Sequence, residues 1–208
     1  MKQISLAVTA IITWFALIAQ FYLNINSHIA SNPELIIRFF SYFTIDTNLI
    51  VALYCSFLLI LPNAAPGRFF SKQTTAAAIL VYILIVAVVY NIILRFLWAP
   101  QGLQRIVDEI LHLVTPILFL LYWIAFVSKN ELKWKNAFAW MIYPSIYGCF
   151  VLVRGYLSDA KFYPYPFIDM NKLGFSKGIM NTAGFVIIFL LASLLFIGIG
   201  KLMSNKKN

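Results

Sequence analysis

The segment IVDEILHLVTPILFLLYWIAFV, Ile106–Val127, is apolar enough to cross a bilayer, and yet it begins with three ionisable side chains. Asp108, Glu109 and His112 lie within five residues of one another. An ionisable residue at membrane depth costs about 2.5–3.5 kcal/mol on insertion scales, and it usually faces a protein interior or a water-filled cavity. The segment therefore predicts a membrane helix that contributes its polar side chains to a site.

The composition extends this interpretation to the whole chain. Of the 208 residues, 62% are hydrophobic and 11% are charged, whereas a soluble domain has about 25% charged residues. We therefore expect one integral membrane domain, residues 1–208. The formal charge is +9, and the basic residues flank apolar segments. This pattern favours anionic lipid headgroups as partners over nucleic acid.

Six apolar windows have the length of a membrane helix, which is about 20 residues for a hydrocarbon core of about 30 Å. Because lipid offers no partners for open backbone groups, each window is expected to be helical. The fold class is therefore all-α, a polytopic membrane protein. The predicted helices are Ile4–Leu23, Ser41–Leu61, Ala76–Leu97, Ile106–Val127, Phe138–Tyr156 and Gly178–Leu202. The first is expected to remain uncleaved, because Leu17 fits poorly two places before a signal-peptidase cut at Ala19.

The distribution of Lys and Arg between the loops predicts the orientation. The loops on one side hold nine of these residues: Lys2, Arg68, Lys72, Lys129, Lys133, Lys135, Lys201, Lys206 and Lys207. The loops on the other side hold four: Arg105, Lys161, Lys172 and Lys177. Including three arginines at helix ends narrows the difference to nine against seven. We therefore expect a cell-membrane protein with both termini in the cytoplasm.

Polar residues concentrate at one depth of the predicted bundle. Each lies early in an even-numbered helix or late in an odd-numbered one, which is the outer half of the bilayer in this orientation. The set is Thr44, Asp46, Thr47, Asn48, Asn91, Arg95, Asp108, Glu109, His112, Arg154, Asn181 and Thr182. Three pairs are four residues apart and so share a helix face: Thr44 with Asn48, Asn91 with Arg95, and Asp108 with His112. The pattern predicts a polar cavity in the outer half of the bilayer.

Each of these residues also has a structural interpretation. A threonine in a membrane helix commonly bonds its own backbone, asparagines join helices, and arginines near helix ends extend to headgroups. Cys55 and Cys149 lie in apolar stretches, which is typical of small core residues and not of a disulfide or metal site. The sequence has neither metal-ligand spacing nor a phosphate-binding loop, so we expect no cofactor. The shared depth of the polar residues is what favours a functional site.

Three motifs resemble the signatures of a bacterial family of predicted six-helix membrane proteins. They are FFSYFTIDTNL at Phe39–Leu49, DEILHLVTP at Asp108–Pro116, and Arg154-Gly155 followed by YPYPF at Tyr163–Phe167. This family is similar to the animal androgen-induced membrane proteins, which hydrolyse fatty-acid esters of hydroxy fatty acids. The resemblance covers most of the chain, roughly from the second helix to the sixth.

The resemblance implies a membrane-embedded threonine nucleophile and a histidine, which by motif position are Thr44 and His112. The residues between Thr44 and Asn48 are shifted by one position relative to the animal pattern, so Thr47 is an alternative nucleophile. The gap from His112 to Pro116 is one residue shorter than in the animal proteins. The implied activity is hydrolysis of a hydrophobic lipid ester within the membrane.

This chemistry agrees with the types of the surrounding residues. A threonine hydroxyl becomes an effective nucleophile when a neutral histidine accepts its proton. Asp108, one turn before His112, is the candidate for orienting the imidazole. The other supporting candidates are Asn48, Asn91 and Arg95, any of which could stabilise an oxyanion, and Arg154. Because unpaired charges at this depth are costly, Arg95 or Arg154 is expected to pair with Asp46, Asp108 or Glu109, and removal of one partner of a buried pair should cost about 3–5 kcal/mol. The alternative function is a non-enzymatic lipid-binding or small-solute transport protein that uses the same cavity.

Overall fold

The computed structural model describes residues 1–158 and 161–205, which form helices joined by loops and contain no β-strand. Six helical segments are long and apolar enough to cross a membrane: Lys2–Ile25, Phe43–Ile60, Gln73–Phe96, Gly102–Phe126, Asn136–Leu157 and Phe175–Ser204. The prediction of an all-α polytopic fold is confirmed, and this is a multi-pass membrane protein. Lys206 and Lys207, which entered the topology prediction, lie outside the described residues.

The chain folds as two compact units, of which the first comprises Met1–Leu132 and residues 200–205. Its helices are α1 (Lys2–Ile25), α2 (Asn32–Phe39), α3 (Phe43–Ile60), α4 (Ala65–Phe70), α5 (Gln73–Ile92), α6 (Gly102–Glu109) and α7 (Thr115–Phe126). A short 3-10 turn, Leu94–Phe96, follows α5, and a π-helical turn, Ile110–Val114, joins α6 to α7. The four membrane spans of this unit carry most of the predicted site residues.

The second unit comprises Lys133–Ile199. Its helices are α8 (Asn136–Trp140), α9 (Ile142–Leu157), α10 (Met170–Leu173) and most of α11 (Phe175–Asn205). Cys149 on α9 is exposed, whereas Cys55 on α3 is buried, and both are free thiols. The prediction of a core position is therefore confirmed for Cys55 and wrong for Cys149. An apolar stretch that faces outward from a membrane helix looks the same in sequence as one that faces the core.

Small residues and interhelical hydrogen bonds join α1 to its neighbours. Ala16 of α1 and Ala52 of α3 have no exposed surface, and both belong to one buried apolar cluster. The hydroxyl oxygens of Thr13 and Thr115 are 3.1 Å apart and link α1 to α7. In lipid, close backbone approach and polar contacts between helices provide the association that hydrophobic burial provides in water. The first helix is thus an integral part of the core of this unit.

The fourth span begins earlier than the sequence predicts. Helix α6 starts at Gly102, so Asp108 and Glu109 lie in its second turn and not near its first. Arg105, which the topology prediction placed in a loop, is part of this helix. Polar residues appear at this helix start because they find partners there: the amides of Gln104 and Gln20 of α1 bond to each other, at 2.7 Å for the shorter contact.

Candidate active site

The two ring nitrogens of His112 face different partners. Nδ1 lies 2.8 Å from the backbone oxygen of Asp108 and 3.3 Å from its carboxylate Oδ1. Nε2 lies 3.4 Å from Oγ1 of Thr44 on α3. Because a carbonyl oxygen only accepts, Nδ1 of the neutral imidazole carries the hydrogen, and Nε2 presents its lone pair towards the threonine hydroxyl. The structure thus brings together the two residues that the sequence predicted as nucleophile and base.

The protein encloses this group of side chains almost completely. Thr44 is 8% exposed, the side chain of His112 is 11% exposed and Asp108 is 3% exposed. Thr47, the alternative nucleophile, has no exposed surface, whereas Thr44 keeps a small exposed fraction. A nucleophile has to meet its substrate, so this geometry favours Thr44. Electrostatic interactions are strong in so enclosed a site because little water screens them.

Tyr90 of α5 is a fourth member of the site, and sequence analysis missed it. Its ring stacks on the imidazole of His112, with centroids 3.8 Å apart and planes inclined by 17°. Its hydroxyl donates a hydrogen bond to Oδ2 of Asp108. In the sequence, Tyr90 resembles one more large residue of an apolar helix. The available signal was that a buried tyrosine hydroxyl needs a partner, and the neighbouring Asn91 already marked the polar depth.

The π-helical turn Ile110–Val114 changes the backbone hydrogen bonds around His112. The N–H of Thr115 bonds to the carbonyl of Ile110, five residues earlier, and so misses Leu111, its usual α-helical acceptor. The next residue, Pro116, has no N–H to donate to the carbonyl of His112. Two successive carbonyl groups in the middle of a membrane helix therefore need donors from elsewhere.

Two asparagines from neighbouring helices supply these donors. Nδ2 of Asn48 on α3 donates to the Leu111 carbonyl at 3.1 Å, and Nδ2 of Asn91 on α5 donates to the His112 carbonyl at 3.3 Å. The second hydrogen of each amide goes to a carbonyl four residues earlier in its own helix, at 2.8 Å in both cases. The asparagines thus hold the backbone around His112 in place. Both hydrogens of each amide are already bonded to backbone carbonyls, so neither amide is available to stabilise an oxyanion.

Arg95 forms a bidentate pair with Glu109 at the edge of the site. Its Nη1 and Nη2 lie 2.6 and 2.7 Å from the two carboxylate oxygens, and its Nε donates to Oδ1 of Asn91 at 2.9 Å. The prediction that one of the arginines pairs with an acidic residue is confirmed for Arg95. The two side chains are 34% and 33% exposed, so the pair is not deeply buried. Three of the five N–H groups of the guanidinium have these partners, and two point elsewhere.

Arg154, the remaining supporting candidate, lies in the second unit. Its Nη1 donates to the carbonyl of Phe162 at 3.2 Å, and its guanidinium lies over the Phe162 ring. The adjacent Gly155 packs directly against the ring of Tyr163, where a Cβ atom would overlap the ring. This packing joins the Arg154-Gly155 pair to the aromatic segment. The predicted part of Arg154 in the site stays a prediction.

Comparisons with known proteins add no functional information to this geometry. No protein-family model, no curated protein and no solved structure matched the chain. The resemblance to the androgen-induced membrane proteins therefore stays a prediction. Among the described residues, no group of three or more His, Cys, Asp or Glu is arranged to hold a metal ion. The features that indicate a function are the Thr44 hydroxyl, the His112 imidazole and the Asp108 carboxylate, which lie next to one another.

Proposed function

We propose that this protein hydrolyses a hydrophobic lipid ester within the membrane, with Thr44 as the nucleophile and His112 as the base. The observation that carries the proposal is the 3.4 Å approach of Thr44 Oγ1 to His112 Nε2 while Asp108 holds Nδ1. A productive contact is roughly 2.6–3.2 Å long, and such contacts are commonly looser before substrate binds. Nucleophile, base and orienting carboxylate thus follow the order of a catalytic triad.

The proposed reaction has two halves. Oγ1 of Thr44 attacks the ester carbonyl carbon, and its proton passes to Nε2 of His112; the bond to the alcohol oxygen then breaks, and that oxygen takes the proton. In the second half, water attacks the threonyl ester and gives a proton to Nε2. The bond between the acyl carbon and Oγ1 breaks as Thr44 recovers that proton. The products are a carboxylic acid and an alcohol.

The surrounding groups have separate roles in this reaction. Asp108 stabilises the imidazolium that forms when Nε2 is protonated. Of the three oxyanion candidates, Arg95 has N–H groups beyond those that its described partners accept, and we assign it that role. Oδ1 of Asn48 is buried and has no hydrogen-bond partner among the described residues. Water can donate to this acceptor whereas an ester cannot, so we assign Asn48 to the hydrolytic water.

The location of the site indicates the class of substrate. Its residues belong to the membrane spans Phe43–Ile60, Gln73–Phe96 and Gly102–Phe126, so the substrate should partition into lipid. A long acyl chain entering from the bilayer would bring its ester group to Thr44 through a cavity in the outer half of the membrane. The partners of this protein are therefore membrane lipid and a hydrophobic ester.

The proposed orientation, with both termini in the cytoplasm of a cell-membrane protein, rests on the loop count of nine basic residues against four. Reporter fusions after Asn208 and within residues 158–177 test it. The C-terminal reporter should be inaccessible from outside, and the loop reporter should be accessible. An externally accessible C-terminus would reverse the placement.

Hydrolysis is tested with protein purified in detergent micelles and a fluorogenic long-chain ester. Thr44→Ala and His112→Ala should each abolish turnover, and the double variant should lose no more than either single variant, because nucleophile and base act as a unit. Thr44→Ser retains a hydroxyl and should keep part of the activity. Circular dichroism and size-exclusion chromatography establish that each variant is folded.

Thr47→Ala is the matched control, since it removes the neighbouring buried hydroxyl of the same helix. It should hydrolyse the ester normally, and a serine- and threonine-directed activity probe should label the wild type at Thr44. If Thr47→Ala is the inactive variant and Thr44→Ala is active, the nucleophile is Thr47. Lipid binding without turnover by the wild-type protein would instead favour the lipid-binding or transport function, and full turnover by His112→Ala would overturn the assignment of His112 as the base.

A further inference from the structure

Tyr90 contacts two of the three groups of the proposed triad through two different parts of its side chain. The hydroxyl reaches Oδ2 of Asp108, and the ring lies flat against the imidazole of His112. Tyr90 is itself 4% exposed. The Tyr90 side chain is therefore buried and held by both its hydroxyl and its ring, and it has little freedom to move away from the site.

The hydroxyl contact bears on the charge of Asp108. The carboxylate is almost out of contact with solvent, and its two oxygens have different neighbours: Nδ1 of His112 at 3.3 Å from Oδ1, and the Tyr90 hydroxyl at Oδ2. A buried carboxylate with too few donors takes up a proton instead of remaining charged. A neutral carboxylic acid would stabilise an imidazolium far less. Tyr90 therefore supports the charge on which the proposed base depends.

This contribution is distinct from the selection of the histidine tautomer. The backbone oxygen of Asp108, 2.8 Å from Nδ1, already requires the hydrogen to be on Nδ1. What the carboxylate adds is negative charge beside the ring. Arg95 and Glu109, two further charged groups at the edge of the site, neutralise each other in their bidentate pair. The charge that the imidazolium meets at Nδ1 is therefore that of Asp108.

The ring contact bears on the orientation of the imidazole. A turn of the His112 ring about its bond to Cβ would break the stacking at 3.8 Å with Tyr90. A flip of the ring by 180° would preserve the stacking but would exchange Nδ1 with Cδ2 and Nε2 with Cε1, and the contacts of Nδ1 with Asp108 oppose it. Stacking therefore fixes the plane of the ring, and the Nδ1 contacts keep Nε2 directed towards Thr44. This placement matters because a misplacement of about 1 Å can cost two orders of magnitude in rate.

We propose that Tyr90 is a positioning residue, which keeps Asp108 charged through its hydroxyl and holds the plane of His112 through its ring. The catalytic part of this proposal rests on the hydrolysis proposed above. The structural part, that the Tyr90 hydroxyl controls the hydrogen bond between Asp108 and His112, does not depend on any activity.

Nuclear magnetic resonance of protein labelled with 15N-histidine tests the structural part. The chain has two histidines, and His28→Asn leaves His112 alone; His28 has φ of +52°, a conformation that asparagine tolerates. Tyr90→Phe keeps the ring and removes the hydroxyl. The Nδ1–H proton of His112 should move upfield in this variant, because its carboxylate partner loses charge. An unchanged resonance would overturn the proposal.

The matched control is Tyr122→Phe, which removes another buried tyrosine hydroxyl from the first unit. That hydroxyl contacts the Tyr54 hydroxyl at 3.4 Å, and Tyr122 lies ten residues beyond His112, about 15 Å along the helix axis at 1.5 Å per residue. Its removal should leave the His112 resonances as they are. An equal change in both variants would show a general disturbance of the bundle and would also overturn the proposal.

Kinetics test the catalytic part. In Tyr90→Phe, kcat should fall about tenfold, as expected for the loss of one hydrogen bond to a charged group, while KM stays within about twofold because ground-state binding is unchanged. A normal kcat in this variant of an active enzyme would overturn the positioning role. If the wild type shows no hydrolysis while the His112 resonance still moves in Tyr90→Phe, the proposed function is wrong, and the structural role of the Tyr90 hydroxyl at Asp108 is confirmed.

Discussion

The first unit has a polar end and an aromatic end, and the two are built differently. Tyr54 and Tyr122 each lie ten residues beyond Thr44 and His112 respectively, which places them about 15 Å further along the same spans. There, the Tyr54 ring meets the rings of Phe119 and Tyr122 edge to face, with centroids 5.1 and 5.8 Å apart. At the polar end, by contrast, hydrogen bonds join defined donors to defined acceptors, and the Tyr90 ring stacks on the imidazole of His112.

This difference shows what each end can do. Aromatic rings pack favourably over a wide range of distances and angles. The aromatic end therefore holds the helices together without fixing the positions of individual atoms. Its two hydroxyls, those of Tyr54 and Tyr122, are 3.4 Å apart and have each other as partners. The hydrogen bonds of the polar end fix Nε2 of His112 beside the Thr44 hydroxyl. Such atomic placement is unnecessary for packing alone, and it is what acyl transfer requires.

A charged side chain is buried at each end, and the two have different surroundings. Lys129, counted as a loop charge in the sequence, is 8% exposed. Its Nζ donates to the carbonyls of Trp123 and Ile124 at 2.8 and 2.9 Å, so it caps the C-terminal end of α7, where a cation is favourable. Asp108 instead places its charge beside an imidazole. The lysine thus has a structural role, and the aspartate has the position of a catalytic support.

The largest effect should come from removing a ring at the aromatic end. Phe119 has no exposed surface, and truncation of a buried Phe to Ala typically costs about 3–5 kcal/mol. Phe119→Ala should lower the free energy of unfolding by that amount in denaturant titrations in micelles, while the folded fraction hydrolyses ester normally. Phe69→Ala, at a residue that is 53% exposed, should change stability by less than about 0.5 kcal/mol. Loss of activity in folded Phe119→Ala would show that the aromatic end also places the reacting groups, and that its role is not packing alone.

The next effect should come from the charge at the polar end. Asp108→Asn should lower kcat about a hundredfold, less than the roughly 10⁴-fold loss seen where the carboxylate also selects the tautomer. The smaller loss follows because the backbone carbonyl of residue 108 still holds the hydrogen on Nδ1. Steady-state kinetics on the folded variant measure it. Unchanged turnover would mean that Asp108 serves packing only.

A smaller effect should come from the asparagines that support the π-helical turn. Asn48→Ala leaves the Leu111 carbonyl without its side-chain donor inside the membrane, at a cost of about 1–3 kcal/mol. The control is Asn26→Ala, because Asn26 also bonds a carbonyl four residues earlier but is exposed. Its stability should change by less than about 0.5 kcal/mol. Equal losses in the two variants, measured by denaturant titration, would show that the turn needs no support from α3.

The smallest effect should come from the ion pair at the edge of the site. From sequence, removal of one partner of a buried pair would cost about 3–5 kcal/mol. Because Arg95 and Glu109 are each about one-third exposed, a double-mutant cycle should give a coupling energy of only about 1 kcal/mol. The i,i+4 pair of Glu34 and Arg38 provides a reference cycle of about 0.3–0.5 kcal/mol. Additive effects of the substitutions at Arg95 and Glu109 would show that the ion pair does not contribute to stability.

Much of this architecture follows from the sequence by itself. Six apolar windows give six membrane helices because lipid forces every backbone group into local hydrogen bonds. The shared face of Asp108 and His112 follows from helical periodicity alone, and the common depth of Thr44 and His112 follows from counting residues along each span. Each of these properties depends on residues within one helix or on a count of residues along the chain. The structure places Asp108 and Thr44 beside His112, as these properties predict.

Tertiary structure alone decided which atoms meet. The rotation of α3 and α5 about their axes sets Thr44 against Nε2 and Tyr90 against the imidazole, and no periodicity within one helix contains that rotation. The π-helical turn before Pro116 changes which carbonyls lack donors, and this turned Asn48 and Asn91 from candidate oxyanion donors into backbone supports. Side-chain partners across helices depend on tilt, rotation and backbone register together. For this reason the sequence could name most members of the site but neither Tyr90 nor the part that the two asparagines play.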